Sequence, residues 1–248
     1  MEKHDFLRRI EDLAERCARS GALTSSGFLS PAERAQAVQA AGRRTDCTLL
    51  FHGGHPDCER TVAFFLPDWM EAEEFEPAEH IRAIRLTPHF GTPGHRDYLG
   101  ALLGMGIGRE WLGDIWLSGG TATAFCLPSV EKHLLGIDKV GRVGVSAAPL
   151  PLTELTAPER KVKEVSFSVA SPRLDAVAAG LFHLSRTEAA RQIALGKVSV
   201  NHIQSDRTDL LIREGDVLSL RGAGKGKITG TGGTSRKGRL FVYAEVYQ

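Results

Sequence analysis

The sequence predicts an α+β protein built from three consecutive blocks, at residues 1–72, 78–165 and 171–248. Segments with helical spacing of apolar residues alternate with strand-like segments, and a short acidic stretch, EAEEFEPAEH, separates the first two blocks. Basic residues collect in the third block. The 248 residues, of which 42% are hydrophobic and 25% charged, are typical of folded chains with a sizeable core.

The first block reads as a small α/β domain. Apolar residues recur at helical spacing near its start, at Phe6, Ile10, Leu13 and Cys17. A second helix is predicted to begin after Ser30, because Pro31 and Glu33 complete a capping-box signature. The segments CTLLFHGG and VAFFLP then predict two strands joined by the polar turn HPDCER.

The second block has the order β-α-β-β-α-β. HIRAIRLTP predicts a strand and GHRDYLGALLGMG a helix, and Gly119 with Gly120 predicts a hairpin between two more strands. A helix over SVEKHLLG, capped weakly by Ser129, and a strand over GRVGVSAAPLPL complete the block. This order predicts a ferredoxin-like fold, which RNA-recognition-motif domains also use, although the order alone does not assign a function.

The third block begins with two predicted helices and continues as strands. Ser185 is predicted to cap the second helix in a capping box with Glu188, and Gly196 to end it. The final segment, RLFVYAEVYQ, alternates as a strand that places Leu240, Val242, Ala244 and Val246 on one face.

The net charge of +1 conceals a segregation of charge along the chain. From residue 171 onward, 12 Lys and Arg stand against 7 Asp and Glu, an excess of five positive charges, whereas the remainder has 19 against 23. Between Val217 and Ala244 there are six basic residues and no acidic one. This favours a polyanion as the partner of the C-terminal part, although charge counting alone allows an ordinary solvated face equally well.

Arg186 occupies an unfavourable position in the first turn of its predicted helix. A cation there opposes the helix dipole, at a cost of roughly a few tenths of a kcal/mol. A phosphate bound at the same helix start would reverse the effect. We therefore expect Arg173, Arg186, Arg191 and Lys197 to line one side of a small helix pair along a nucleic-acid backbone.

These segments also carry a family resemblance. RLDAVAAGLFHLSRTEAARQIALGKVSVN and EGDVLSLRG resemble the RNA-binding domain typified by ribosomal protein S-four. GGHPDCERTVAFFLP, HRDYLGALLGMGIGREWLGDI and KGKITGTGGTSRKGRLFVYAEVY extend the similarity over most of the chain, to the YlmH family of ribosome-associated RNA-binding proteins.

The resemblance implies an S-four-type domain at 171–248 that binds ribosomal RNA on the large ribosomal subunit, with tRNA as a further candidate partner. It also implies a role in the rescue or quality control of stalled ribosomes. Together with the charge pattern it predicts a set of RNA-binding residues: Arg173, Ser185, Arg186, Arg191, Lys197, Asn201, Lys225, Lys227, Arg236, Lys237 and Arg239. For Asn201 a plain turn role is an equal alternative.

Other functions are weighed against this one. Arg96 and Asp97 resemble the arginine and aspartate of pseudouridine synthases, which also carry S-four-type domains, so an RNA-modifying enzyme is the alternative. A third possible function is that of an adaptor that binds proteins through the second block. His52, His55 and Cys58 could hold a metal, but no paired fourth ligand follows. We expect no enzymatic activity, no cofactor and no metal.

The expected setting is the cytoplasm. The N-terminus has no apolar h-region, no apolar run has the length of a membrane span, and the four cysteines show no C-x-x-C spacing. We therefore expect a cytoplasmic monomer with reduced cysteines and no membrane contact. Phe125 stands alone where an RNA-recognition motif would have several stacking aromatics, so the central sheet is not expected to bind RNA in the usual way.

Overall fold

The structure, a computed structural model, describes residues 3–41, 46–159, 162–235 and 238–247. The chain divides into two compact units, Met1–Pro158 and Glu159–Gln248. The first unit contains the first predicted block and residues 78–158 of the second. No helix in the described part of the chain is long and apolar enough to cross a membrane.

The first unit combines a three-stranded and a five-stranded antiparallel sheet with helices. Its helices are α1 (Lys3–Ser20), α2 (Pro31–Ala41), α3 (Pro77–His80), α4 (His95–Gly104) and α5 (Pro128–Leu134). Its strands are β1 (Thr24–Leu29), β2 (Cys47–His52), β3 (Thr61–Pro67), β4 (Arg82–Pro88), β5 (Leu112–Ser118), β6 (Thr121–Cys126), β7 (Lys139–Val140) and β8 (Val143–Leu150).

The capping box predicted at the start of α2 is present. The Ser30 amide donates to the Glu33 carboxylate at 2.7 Å, and the Ser30 hydroxyl oxygen accepts from the Glu33 amide at 3.3 Å. The amphipathic face predicted for α1 is also confirmed, since Phe6, Ile10, Leu13 and Cys17 are all buried. The sequence also predicts that α2 ends at Gly42, which lies outside the described residues.

The small sheet has the order β1-β3-β2, and its central strand β3 is buried at every position. One face packs on α1 and α2, where Phe65 meets Ile10 and Cys17. The other face carries Phe64, which shares a core with residues of the second sheet. Burial on both faces explains why VAFFLP is apolar throughout instead of alternating.

The acidic segment between the two predicted blocks is packed onto this shared core. It forms a short 3-10 turn at Ala72–Glu74 followed by α3, and Phe75 between them is buried. The ring centroids of Phe75 and Phe64 lie 4.6 Å apart. The first two predicted blocks therefore belong to one compact unit, because a common core crosses the predicted boundary.

The second sheet has the order β5-β6-β4-β8-β7, with α4 and α5 packed against one face. The predicted sequence of strands and helices is observed, with the two-residue strand β7 added. The hairpin of β5 and β6 turns at Gly119 and Gly120, whose φ values of 57° and 78° suit a type I′ turn. The start of α5 differs from expectation: Leu127 occupies the N-cap and Pro128 begins the helix, so Ser129 is not the cap. The fixed φ of proline favours the first helical position.

The second unit is a single six-stranded sheet with two helices. The helices are α6 (Leu174–Leu181) and α7 (Arg186–Ala194). The strands are β9 (Val162–Val169), β10 (Val198–Val200), β11 (Ile203–Gln204), β12 (Val217–Leu220), β13 (Gly224–Thr234) and β14 (Leu240–Tyr247). They are arranged in the order β11-β10-β12-β13-β14-β9, and both helices contribute to the core beneath the sheet.

Strand β9 changes the predicted boundary between the second and third blocks. The prediction left 162–165 with the central block, but β9 pairs with β14 along its whole length, from Val162 opposite Tyr247 to Val169 opposite Leu240. The third block therefore gains a strand at its N-terminal side. The predicted inward face of β14 is confirmed at Val242 and Ala244, both almost fully buried.

Candidate RNA-binding site

The second unit brings the start of α6 next to a returning loop. The helix has no side-chain cap at Arg173. Its first amides are satisfied instead by loop carbonyls, since Leu174 N–H donates to Leu210 O at 2.8 Å and Asp175 N–H to Thr208 O at 3.1 Å. Loop carbonyls therefore complete the open helix end, which would otherwise leave unpaired donors. The same contacts hold the loop that follows β11 against Arg173.

Asp175 joins two of the predicted RNA-binding arginines. Its carboxylate lies 2.5 Å from Arg186 Nη2 and 3.5 Å from Arg173 Nε, and it also accepts from the Ala176 amide at 2.9 Å. The carboxylate is nearly buried, with 11% of the side chain exposed, whereas 58% of Arg186 and 41% of Arg173 are exposed. One buried anion thus positions two solvent-facing guanidinium groups, which remain able to bind a phosphate.

Ser185 caps α7 as predicted, and its hydroxyl accepts from the Glu188 amide at 3.1 Å. The predicted return bond from Glu188 is replaced. Among the described contacts, the Glu188 carboxylate accepts from Arg191 Nε at 2.9 Å, Arg191 Nη2 at 2.8 Å and Gln192 Nε2. These hydrogen bonds, of which the one to Arg191 has the largest effect, lower the pKa of Glu188 to about 2. The long Glu188 side chain therefore stabilises the helix surface and not the Ser185 amide.

Arg191 does not share a face with Arg186. Five positions along a helix correspond to a rotation of about 140°. Arg191 lies beside Glu188, and the charge of Lys197 also acts on that carboxylate. The four predicted cations therefore form two groups, Arg173 with Arg186 and Arg191 with Lys197, instead of one continuous row. The second group is partly neutralised by Glu188.

Asn201 has a structural role in the turn between β10 and β11. Its φ of 49° lies in the left-handed region, which asparagine tolerates better than most residues. Its side-chain amide donates to Asp216 Oδ1 at 2.7 Å, and its carbonyl oxygen accepts from the Val217 amide at 2.9 Å. These bonds support the turn alternative for Asn201.

An open cleft of about 910 Å³ lies beside Arg173. Two arginines that the sequence analysis did not select, Arg207 and Arg213, line it with Arg173. Arg207 pairs with Asp209 at 3.4 Å but is 66% exposed. The bridge between Arg173 and Leu211 and the bond from Ile212 N–H to Pro172 O bring this loop back to α6. The resemblance did not single out these two arginines, because their place beside Arg173 depends on the path of the loop back to the start of α6.

The predicted basic cluster on the β13–β14 hairpin is divided between its two ends. Lys225 and Lys227 lie near the start of β13, whereas Arg239 immediately precedes β14 and Thr234 pairs with Leu240. Seven residues of strand separate Lys227 from Thr234, on the order of 20 Å. Strands β13 and β14 form a hairpin, but the cations described on it do not converge on one point. Arg236 and Lys237 lie outside the described residues.

The residues behind the alternative functions have local structural partners. Asp97 Oδ2 accepts from the Gly94 amide at 2.8 Å at the start of α4. His52 Nδ1 accepts from the Gly54 amide at 3.0 Å, and His55 Nδ1 from the Asp57 amide at 3.2 Å. Within the described ranges, no group of three or more His, Cys, Asp and Glu side chains is arranged to hold a metal ion.

The second sheet does not present Phe125 to solvent. Phe125 is fully buried in the core that the sheet shares with β3, and its ring lies 4.8 Å from that of Trp116 in an edge-on contact. The β2–β3 turn closes over this part of the sheet, because a Cβ at Gly54 would lie 2.7 Å from the Phe125 ring. Phe125 is therefore unavailable for base stacking.

Comparisons with known proteins agree with the resemblance to the YlmH family. A family model described as YlmH, N-terminal matches residues 2–65, and one described as Putative RNA-binding domain in YlmH matches residues 71–154. The Ribosome-associated protein quality control protein P2 of Bacillus subtilis (strain 168) is 30% identical over 220 residues, which cover 88% of this chain and 85% of that protein.

A solved structure shows a related fold. The Cell division protein ylmH from Streptococcus pneumoniae superposes with a TM-score of 0.54 at 20% identity, over 62% of this chain and 94% of that one. At this identity the likeness concerns the fold alone. The identity and coverage of the Bacillus subtilis relative, together with the two matching family models, establish that the chain belongs to the YlmH family.

Proposed function

We propose that the protein binds RNA on the ribosome, through the second unit in particular. The arginine pair held by Asp175 carries this proposal, because a nearly buried carboxylate positions two exposed guanidinium groups beside a cleft with two more arginines. Guanidinium groups bind phosphates through paired hydrogen bonds, which suits a nucleic-acid backbone. The relative named for ribosome-associated quality control and the family model named for RNA binding support RNA binding on the ribosome, although that model matches residues 71–154 of the first unit.

The more specific parts of the proposal follow the family resemblance. The second unit acts as an S-four-type domain, its RNA is ribosomal RNA of the large subunit, and tRNA is a further partner. The biological role is rescue or quality control of stalled ribosomes, by a cytoplasmic monomer. The name of the Bacillus subtilis relative supports the quality-control role.

We propose binding without catalysis. The pseudouridine synthase alternative depends on Asp97, and this carboxylate accepts from the Gly94 amide in a helix-capping position. Such a bond accounts for an aspartate in the first turn of α4 without a reaction.

Cosedimentation with ribosomes tests the proposal. The double variant Arg173→Gln with Arg186→Gln should reduce the bound fraction and weaken its dependence on salt, since each lost phosphate contact removes roughly 0.7–0.9 from the log–log slope. Arg19→Gln is the matched control, because Arg19 forms an exposed pair with Glu15 in the first unit. Equal binding by the double variant and the control would contradict the proposed site.

A further inference from the structure

The second unit carries a row of aromatic side chains on the sheet face opposite its core. Because Val242 and Ala244 point into the core, their neighbours Phe241, Tyr243 and Tyr247 on β14 point to the other side. Tyr243 is 46% exposed. We call this side the outer sheet face. It consists of Phe241, Tyr243, Glu245 and Tyr247 with their partners on β13 and β9.

A β-bulge places glycines beside the exposed Tyr243 ring and the half-buried Phe241 ring. The register of β13 shifts between Ile228 and Gly230, so that Gly230 lies opposite Tyr243 and Gly232 opposite Phe241. Without the bulge, regular alternation from Lys227 would place threonines there. A Cβ at Gly232 would meet nothing within 4 Å, and one at Gly230 would reach only ordinary contact distance. The bulge therefore leaves the space beside Phe241 open, whereas beside Tyr243 the Glu214 carboxylate lies 4.0 Å from where a Cβ of residue 230 would stand.

The opposite side of the row is also lined by small residues. Strand β9 places Ser166 opposite Tyr243 and Ser168 opposite Phe241. Tyr243 thus stands between a glycine and a serine. Cross-strand pairs of an aromatic with another aromatic or a β-branched residue stabilise a sheet, and Tyr243 makes neither kind of pair. The exposed ring faces are accessible to a flat ligand.

Cations lie at both ends of the aromatic row. Arg239 Nη2 donates to the Ser168 carbonyl at 2.5 Å, which holds its guanidinium group next to Phe241. At the other end, Lys225 Nζ lies 5.0 Å from the centre of the Tyr247 ring. Between these cations, Glu245 has Lys227 opposite it on β13 and Glu164 opposite it on β9, so the middle of the face also carries acidic side chains. A polyanion along β14 would meet a positive charge before and after the rings.

We infer that the outer sheet face binds an unpaired segment of RNA, whose bases stack on Tyr243 and Phe241 and whose phosphates contact Arg239 and Lys225. The inference rests on the proposed RNA-binding function and adds a second surface, on a different element from the α6–α7 pair. Exposed aromatics on a sheet with flanking cations are the features by which single-stranded nucleic acids are bound. Duplex RNA has no unstacked bases, so it is not a ligand of this face.

Fluorescence anisotropy of the full chain with a labelled short oligouridine tests the inference. Tyr243→Val keeps strand propensity but removes the π face, and should weaken oligouridine binding by about tenfold, which corresponds to one stacked base. Tyr243→Phe should bind as the wild type does. Phe90→Ala is the control, because Phe90 is 63% exposed in the first unit. Binding to a duplex of equal length should be the same for wild type and Tyr243→Val.

Several results would overturn the inference. These are unchanged oligouridine affinity of Tyr243→Val, an equal loss in Phe90→Ala, or competition by an acidic peptide as effective as that by RNA. Should Tyr243→Val fail to fold, Tyr243→Trp replaces it. Oligouridine should then quench the tryptophan fluorescence of this variant more than that of the wild type, and equal quenching refutes stacking. If stacking is absent but the protein cosediments normally with ribosomes, only the inference about the outer sheet face is refuted. If the wild type binds neither ribosomes nor oligouridine, the proposed RNA-binding function is refuted as well.

Discussion

Ser185 and Arg186 are adjacent in the chain, yet substitutions at the two positions should have opposite consequences. Ser185→Ala removes the hydroxyl that accepts from the Glu188 amide at 3.1 Å. Loss of an N-cap of this kind lowers the free energy of unfolding by about 1 kcal/mol. Arg186→Gln removes one ion pair with Asp175, and since 58% of the arginine side chain is exposed, screening by water limits the loss to roughly 0–1 kcal/mol.

The structure also shows why loss of Arg186 does not leave the Asp175 carboxylate without partners. In Arg186→Gln, Asp175 keeps the Ala176 amide at 2.9 Å and Arg173 at 3.5 Å, so it is not left as an unpaired buried charge. In the RNA complex the missing guanidinium should cost about 1–3 kcal/mol, the range for a charge-assisted hydrogen bond, or roughly five- to 150-fold in affinity.

Two measurements separate these effects. Hydrogen-exchange mass spectrometry over residues 186–195 reports the local stability of α7, and cosedimentation reports ribosome affinity. We expect faster exchange in Ser185→Ala with a smaller change in Arg186→Gln, and a clear affinity loss in Arg186→Gln. If Arg186→Gln exchanges as fast as Ser185→Ala while the folded protein binds ribosomes normally, Arg186 is structural and the argument for the site fails.

Three further predictions address other parts of the molecule. Lys225→Gln should flatten the salt dependence of RNA binding more than Lys227→Gln, because Lys225 Nζ lies at the Tyr247 ring on the proposed face, whereas Lys227 has Glu245 opposite it in the sheet; equal slopes would contradict this. Asp97→Asn should leave the nucleoside composition of ribosomal RNA unchanged, and pseudouridine that forms with the wild type but not with Asp97→Asn would establish catalysis. Burial, the largest cause, lowers the pKa of His80 below its ordinary 6.5. As the pH falls, the unfolded state therefore takes up the proton before the folded state does. The stability that neutral His80 contributes is present above pH 6.5 and is lost as the pH falls below it. His80→Phe should therefore flatten the loss of stability between about pH 7 and pH 5, measured by urea unfolding with tryptophan fluorescence; an unchanged slope would refute the role of His80.

Local patterns predicted the elements whose signals are contained in a few neighbouring residues. The capping box of Ser30 and Glu33, the Gly119–Gly120 turn and the cap at Ser185 all depend on contacts within four positions. The element missed in the first block, β1, shows the limit. It contains a register shift between Ser25 and Phe28, which breaks the alternation, and its Ser26 hydroxyl replaces a ladder bond by accepting from the Ala63 amide at 3.0 Å.

The candidate site was only partly predictable for the same reason. Charge and spacing selected Arg173 and Arg186, and the resemblance supported them. The returning loop that places Arg207 and Arg213 beside Arg173, however, depends on the bonds of Leu174 to Leu210 and of Asp175 to Thr208, whose partners are more than 30 positions apart in the chain. The expected row of four cations failed because the turn of the helix directs Arg191 toward Glu188. The bulge that exposes Tyr243 is likewise a property of strand pairing.

Crosslink mapping of the full chain bound to ribosomes tests the central claim most directly. Ultraviolet crosslinking followed by mass spectrometry should identify RNA-linked peptides from the second unit, foremost those that contain Arg173, Arg186, Arg207 and Arg213, and these links should decrease in the Arg173→Gln, Arg186→Gln double variant. RNA-linked peptides confined to residues 1–158, or links from the second unit that are unaffected by the double variant, would contradict the account.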